Sequence, residues 1–289
     1  MKLSRFYHLI VKFGRQHDPR KNAVKSYEDT AILYGSPETQ VNKILVGIEI
    51  EAPELLLADR IRQAQGLDLA MAHHPEGRAY ASLYEVMRLH IDILETAGVN
   101  RRVAEKLLEE RMQEVERRIL PQNHARAVDA ARLLDMPFMC CHTPADNQVY
   151  WFVKQLMEKE KPKTVQDIVK VLMDVAEYQE AVKINAGPRI IAGSPGRQAG
   201  KILVEMTGGT EGSKDVFDKL YKAGIRTLIC MHLSEEHFKK VKDANLNVVI
   251  AGHISSDTLG LNLLLDKIEK EEPLQIINCS GFKRIRRSA

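Results

Sequence analysis

Three histidine positions in this sequence share a setting. His73-His74-Pro75 follows the apolar run 67–72, His142-Thr143-Pro144 follows 138–141, and His253 follows 247–251. The second and third carry a carboxylate four residues on, Asp146 and Asp257. Imidazole nitrogens with carboxylate oxygens form a donor set for zinc, iron or manganese rather than calcium or a thiolate site. Consecutive side chains in an extended segment diverge, so His73 and His74 can each serve a different ion. A carboxylate can bridge two ions about 3.5–4 Å apart, as in hydrolytic two-metal sites. The plainer reading makes Asp146 and Asp257 partners of a helix dipole, worth about 0.3–1 kcal/mol each.

The surrounding elements decide whether these groups meet. Strand-like runs alternate with helical ones, which predicts an α/β chain with largely parallel sheets covered by helices. Expected strands are 43–50, 67–72, 138–141, 202–206, 227–231, 247–251 and 274–279. In such sheets ligands bind beyond the carboxyl ends of the strands, where all three histidine positions lie. If Thr143 and Ser255 or Ser256 cap helices, Asp146 and Asp257 fall in first turns, on the side of the preceding histidine.

The spacing predicts two lobes: 1–158 with a helical insertion at 77–137, a connector at 159–200, and a second α/β segment at 201–289 with room to intertwine with the first. Within the insertion, Leu107, Leu108, Met112, Val115 and Ile119 form an apolar stripe, read as a surface helix or an oligomer contact.

With 289 residues, 44% hydrophobic and 28% charged, the chain can bury a core without disulfides or structural metal. Its net charge of +3 is unevenly placed, with seven basic residues in 2–25 and a basic tail at 283–287. That bias is weak for nucleic acid, and solvated termini are expected. The apolar segment 6–13 is too short for a membrane span or signal core, so a cytoplasmic protein without membrane contact is expected. Cys140, Cys141, Cys230 and Cys279 lack metal spacing and read as reduced core residues, the adjacent pair on opposite faces of a strand.

Taken in order, HHP after a strand, His142-Thr-Pro-Ala-Asp146 and Gly252-His253 followed by Asp257 resemble the Nif-three-like family, the GTP cyclohydrolase I type 2 homologs. The run 29–48, with Tyr34-Gly35-Ser36-Pro37 before a strand, resembles that family's entry segment. The similarity spans most of 28–158 and 200–280. It implies α/β lobes in a ring-shaped homohexamer and two divalent ions per chain. By motif, His73 and His74 are metal ligands, Asp146 and Asp257 bridging or terminal carboxylates, and His253 a ligand of the second ion. His142 then orients Asp146. The sequence departs from the family in having Asp257 where glutamate is usual, in its long segment 75–141, and in lacking Gly-Asp near 231–234. The last leaves His232 and His237 as alternative pocket residues.

The function expected is that of a metal-dependent hydrolase acting on a small-molecule or nucleotide substrate; a non-catalytic metal-binding regulatory scaffold is the alternative. The turn 207–212 is not a P-loop, but Gly208 and Gly209 could offer backbone N–H groups to a phosphate at a helix start, with Arg78 nearby. A plain turn is the simpler reading.

Overall fold

The computed structural model describes residues 1–20 and 24–287; Lys21, one of the seven N-terminal basic residues, lies outside them. The chain opens with helix α1 (Leu3–Arg15), whose Leu3, Phe6, Ile10 and Phe13 repeat at three and four residues and are buried. Strands β1 (Ala31–Tyr34) and β2 (Lys43–Gly47) lead to α2 (Ala52–Gln65). Pro53 and a reciprocal Glu51–Glu54 capping box fix the start of α2. Strand β3 (Leu69–Ala72) follows, fully buried.

Five helices succeed it: α3 (Gly77–Ala81), α4 (Leu83–Val86), α5 (Leu89–Ala97), α6 (Arg101–Ile119) and α7 (Arg126–Leu133). After β4 (Phe138–Cys140) come α8 (Thr143–Glu160), α9 (Val165–Met173) and α10 (Ala176–Val182). Strands β5 (Arg189–Ala192) and β6 (Lys201–Glu205), helix α11 (Phe217–Lys222), β7 (Ile225–Cys230), α12 (Glu235–Asp243) and β8 (Asn247–Ile250) continue the chain. Helix α13 (His253–Glu271) and β9 (Gln275–Asn278) complete the described elements.

The strands form two sheets, ordered β1-β4-β3-β2-β9 and β5-β8-β7-β6. Each has one antiparallel edge, β1 on β4 and β5 on β8, and is otherwise parallel. Without β9 the two orders are the same: first strand at the edge, then fourth, third and second. The chain therefore builds one α/β plan twice. Helices α8 and α13 follow the matching strands β4 and β8 and pack on each other. Ala145 belongs to the first core, while Val149, Val153 and Met157 reach the second.

Several boundaries differ from the sequence reading. Within the connector 159–200 the stretch 164–182 is helical as its pattern predicts, forming α9 and α10, but 187–200, which reads as a loop, carries β5, an edge strand of the second sheet. The last strand, β9, returns to the first sheet beside β2. The insertion divides: α5 and α6 pack into the second core, whereas Ala127 and Ala131 of α7 join the first lobe. The stripe Leu108, Met112, Val115 and Ile119 is buried within the chain, so it is not left to face a second copy.

Cys140 and Cys141 fall in different cores, as alternation along a strand requires, and all four cysteines are free thiols. The basic tail is pinned rather than solvated: Arg284 pairs with Asp266 and Glu269, and Arg287 with Glu177. Among the described residues no helix is long and apolar enough to cross a membrane.

Candidate metal centre

The matching corners of the two halves meet at one place. His142 is the N-cap of α8 and His253 the first residue of α13, and each helix presents an aspartate in its next turn, Asp146 and Asp257. A glycine lets those helices touch: a Cβ on Gly260 would lie 2.5 Å from the Ala145 carbonyl oxygen. Any side chain there would hold the Asp146 and Asp257 turns apart.

His73, at the end of β3, lies between the aspartates and is fully buried. Its Nδ1 is 3.1 Å from the Cys141 carbonyl, which can only accept, so Nδ1 carries the proton. Nε2 then turns its lone pair toward Asp146 Oδ1 at 3.3 Å and Asp257 Oδ1 at 3.5 Å. Four electron-rich atoms gather here without a hydrogen bond: His73 Nε2, Asp146 Oδ1 and both Asp257 oxygens have no hydrogen-bond partner. Buried polar atoms left unsatisfied are costly unless a cation or proton sits among them. Burial opposes charge on His73, yet Asp257 and Asp146 outweigh it and push the imidazole up to about 10. Burial likewise opposes ionisation of Asp257, and the facing His73 nonetheless holds it far below the usual carboxylate range.

The other expected ligands complete two overlapping groups. His74 Nε2 and His253 Nε2 lie 3.5 and 3.6 Å from Asp257 Oδ2. His74, His253 and Asp257 form one cluster with ligand atoms within 4.8 Å of one another, and His73, Asp146 and Asp257 form another. Burial holds His253 below its ordinary value despite Asp257. A third group of the same size joins His142 to His73 and His74, which places His142 among the candidate donors as well as beside Asp146.

Two contributors were not singled out from sequence. Asp29 is fully buried and accepts hydrogen bonds from His142 Nδ1 at 2.8 Å, the Thr143 hydroxyl at 2.6 Å and the Thr143 amide at 3.2 Å. It fixes the proton on Nδ1 and turns Nε2 of His142 toward Asp146, the carboxylate–histidine arrangement common around metals. Glu49 approaches His74 Nδ1 at 3.2 Å in the same manner. Asp29 lies within the entry segment, but nothing in its spacing revealed its partner 113 residues away.

The remaining expected residues divide between the rim of the centre and other places. His232 stacks edge-on against His253 with ring centroids 4.9 Å apart, so it reaches the rim of the centre. His237 also lines the pocket beside the aspartates, but Ser234 Oγ and the Gly212 carbonyl engage its two nitrogens at 2.7 and 2.9 Å, so it offers no free donor there. Arg78 donates to the Ile32 carbonyl of β1 and is absent from the pocket beside the aspartates. That pocket is lined by Asp146, Asp257, His253, His232, Glu205 and Glu211 among others, and among the described residues no lysine or arginine takes part. Gly208 and Gly209 form a left-handed turn six and five residues ahead of the first helical turn, Lys214–Val216, which Ser213 caps instead. They pack on His90 and Val86 rather than opening a helix, although Gly209 does line the pocket beside the aspartates.

The residues fit a metal site by the chemistry of their donors and by the orphaned atoms between them. No family model matches the sequence, and no curated protein matches it. Solved structures do. A NIF3 superfamily protein from Sphaerobacter thermophilus superposes with a TM-score of 0.81 at 27% identity, over 94% of this chain and 97% of that one. Reduced HcgD from Methanocaldococcus jannaschii gives 0.58 at 13% identity, over 96% and 97%. A Bacillus cereus protein related to NIF3 gives 0.51 at 10% identity, over 100% and 99%. The last two likenesses concern the fold alone.

Proposed function

We propose that this chain, a NIF3-like protein, holds two divalent metal ions between His73, His74, Asp146, His253 and Asp257 and acts as a metal-dependent hydrolase. The observation that carries the reading is the orphaned Nε2 of His73, anchored through Nδ1 and aimed at Oδ1 of Asp146 and of Asp257, neither of which accepts a hydrogen bond. Five or six N/O donors exceed what one four-coordinate ion uses, which favours a pair. Zinc, iron and manganese suit them.

Bound ions would supply Lewis acidity for a carbonyl or phosphoryl oxygen and acidify water. The protein's own part is positional. Asp29 and the Cys141 carbonyl fix the tautomers of His142 and His73, and the buried aspartates exclude competing hydrogen bonds. A nucleotide-like substrate is the class favoured by resemblance; with no lysine or arginine lining the pocket among the described residues, the ions would supply the positive charge that meets its phosphate. Assembly into a homohexamer belongs to the same proposal.

The test is elemental analysis of protein purified without chelator, wild type against Asp146→Ala, followed by turnover of GTP, other nucleotides and phosphodiesters with Zn²⁺, Mn²⁺ or Fe²⁺. About two ions per chain and metal-dependent turnover lost in His253→Ala support it. Unchanged metal content in Asp146→Ala removes that residue from the site. Metal without turnover leaves the regulatory scaffold as the reading to keep, and light scattering that shows a monomer removes the hexamer.

A further inference from the structure

The stripe of α8 that begins with Asp146 continues, one and two turns later, into a second cavity unrelated to the metal donors. Tyr150, Met157, Ile93 of α5, Ile202 and Val204 of β6, and Ile225 of β7 bound a space of about 510 Å³. A volume of that size with a mostly apolar lining suits a small organic ligand. Two features give the space a polar end. Tyr150 is 7% exposed, yet its hydroxyl has no hydrogen-bond partner among the described residues. Lys154 and Lys161 also line the cavity, and neither meets a carboxylate within ion-pair distance among the described residues. Lys201, by contrast, is engaged by the Ala97 carbonyl, and the one acid of the lining, Glu158, accepts from Gln155.

We propose that this cavity binds a small amphipathic carboxylate, with its apolar body between α5, β6 and α8 and its carboxylate toward Tyr150, Lys154 and Lys161. An apolar body would bury against Ile93, Met157, Ile202 and Ile225, at roughly 0.8 kcal/mol per methylene taken out of water. The phenolic hydroxyl and two ammonium groups outnumber the single lining carboxylate, Glu158, which is already engaged by Gln155, so the balance of donors and of positive charge favours an anion over an amine or an alcohol.

Decanoate is a suitable probe, titrated by calorimetry into the full chain, with decanol as the uncharged comparison. Wild type is expected to bind decanoate more tightly than decanol. The double variant Lys154→Glu with Lys161→Glu should weaken decanoate at least about tenfold, the size of one charge-assisted contact, while leaving decanol unchanged. Tyr150→Phe should weaken it less, and Ile202→Trp, which fills the space, should abolish it. The two lysines are on the surface of α8 and its end, so their replacement leaves the core intact even if Ile202→Trp fails to fold. Absence of decanoate binding, equal binding by the double variant, or loss of binding in Asp257→Asn, which would put the carboxylate at the metal centre instead, each overturns the proposal.

Discussion

Asp146 and Asp257 occupy matching positions in the two halves of the chain, each four residues beyond a histidine, and both reach His73 Nε2, at 3.3 and 3.5 Å. One repeated strand-to-helix corner thus supplies both carboxylates, and the end of β3 supplies the group between them. This relation makes the centre dependent on how α8 and α13 cross, and so on residues that never touch an ion.

The first prediction concerns stability. A ligand that binds only the folded chain at about a thousand times its Kd adds roughly 4 kcal/mol. Chelation of the wild-type protein should therefore lower Tm by several degrees, and Asp257→Ala should melt at one temperature with or without chelator. Thermal scans of both proteins decide it; equal chelator sensitivity would detach Asp257 from the centre.

Asp29→Asn tests the anchoring of His142. The amide keeps the size of Asp29 but offers one acceptor where three donors now converge, so the ring loses its fixed tautomer. Metal affinity should fall about 10- to 100-fold, the usual effect of removing such a partner. Competition with a chromophoric chelator measures it, and unaltered affinity would make Asp29 a purely structural residue.

Gly260→Ala tests the helix crossing. The added methyl meets the Ala145 carbonyl oxygen at 2.5 Å and forces α8 and α13 apart. A loss of about 2 kcal/mol in stability is expected from overpacking, together with weaker metal binding because the Asp146 turn moves. Denaturant melts and metal titration should shift together; retained affinity in a destabilised protein would mean that the crossing matters only for packing.

The pH dependence of the second half follows from Glu211. Burial works to raise its pKa, but His232, His237 and the Ser234 amide outweigh that and bring it from 4.5 to about 2. A carboxylate depressed in the folded state adds stability above its unfolded pKa, and that stability fades as pH falls from about 4.5 toward 2. His232, raised chiefly by its bond to Glu211, adds stability that is full below 6.5 and fades as pH rises through its folded value. Glu211→Gln should flatten the denaturation midpoint against pH in the acidic window. An unchanged acid limb would shift the cause to other carboxylates.

Much of this architecture was legible in the residues. Apolar runs ending in histidine placed three donor positions at the carboxyl ends of strands, and the four-residue interval put Asp146 and Asp257 one helical turn beyond. Those are local regularities, set by strand alternation and the helical repeat, and they survive into the structure nearly unchanged.

Other features had no local sign. Asp29 meets His142 across 113 residues, and β9 returns to pair with β2, because sheet edges are closed by whatever segment fits them rather than by the next in sequence. His237 and His232 look alike in the chain, yet Ser234 and Gly212 engage both nitrogens of one while the other stacks on His253. The sequence by itself determined which donor types stand at the ends of which elements. Only the tertiary structure decided which of them share one buried space, because that depends on the crossing of α8 and α13 and on the removal of water from between their carboxylates.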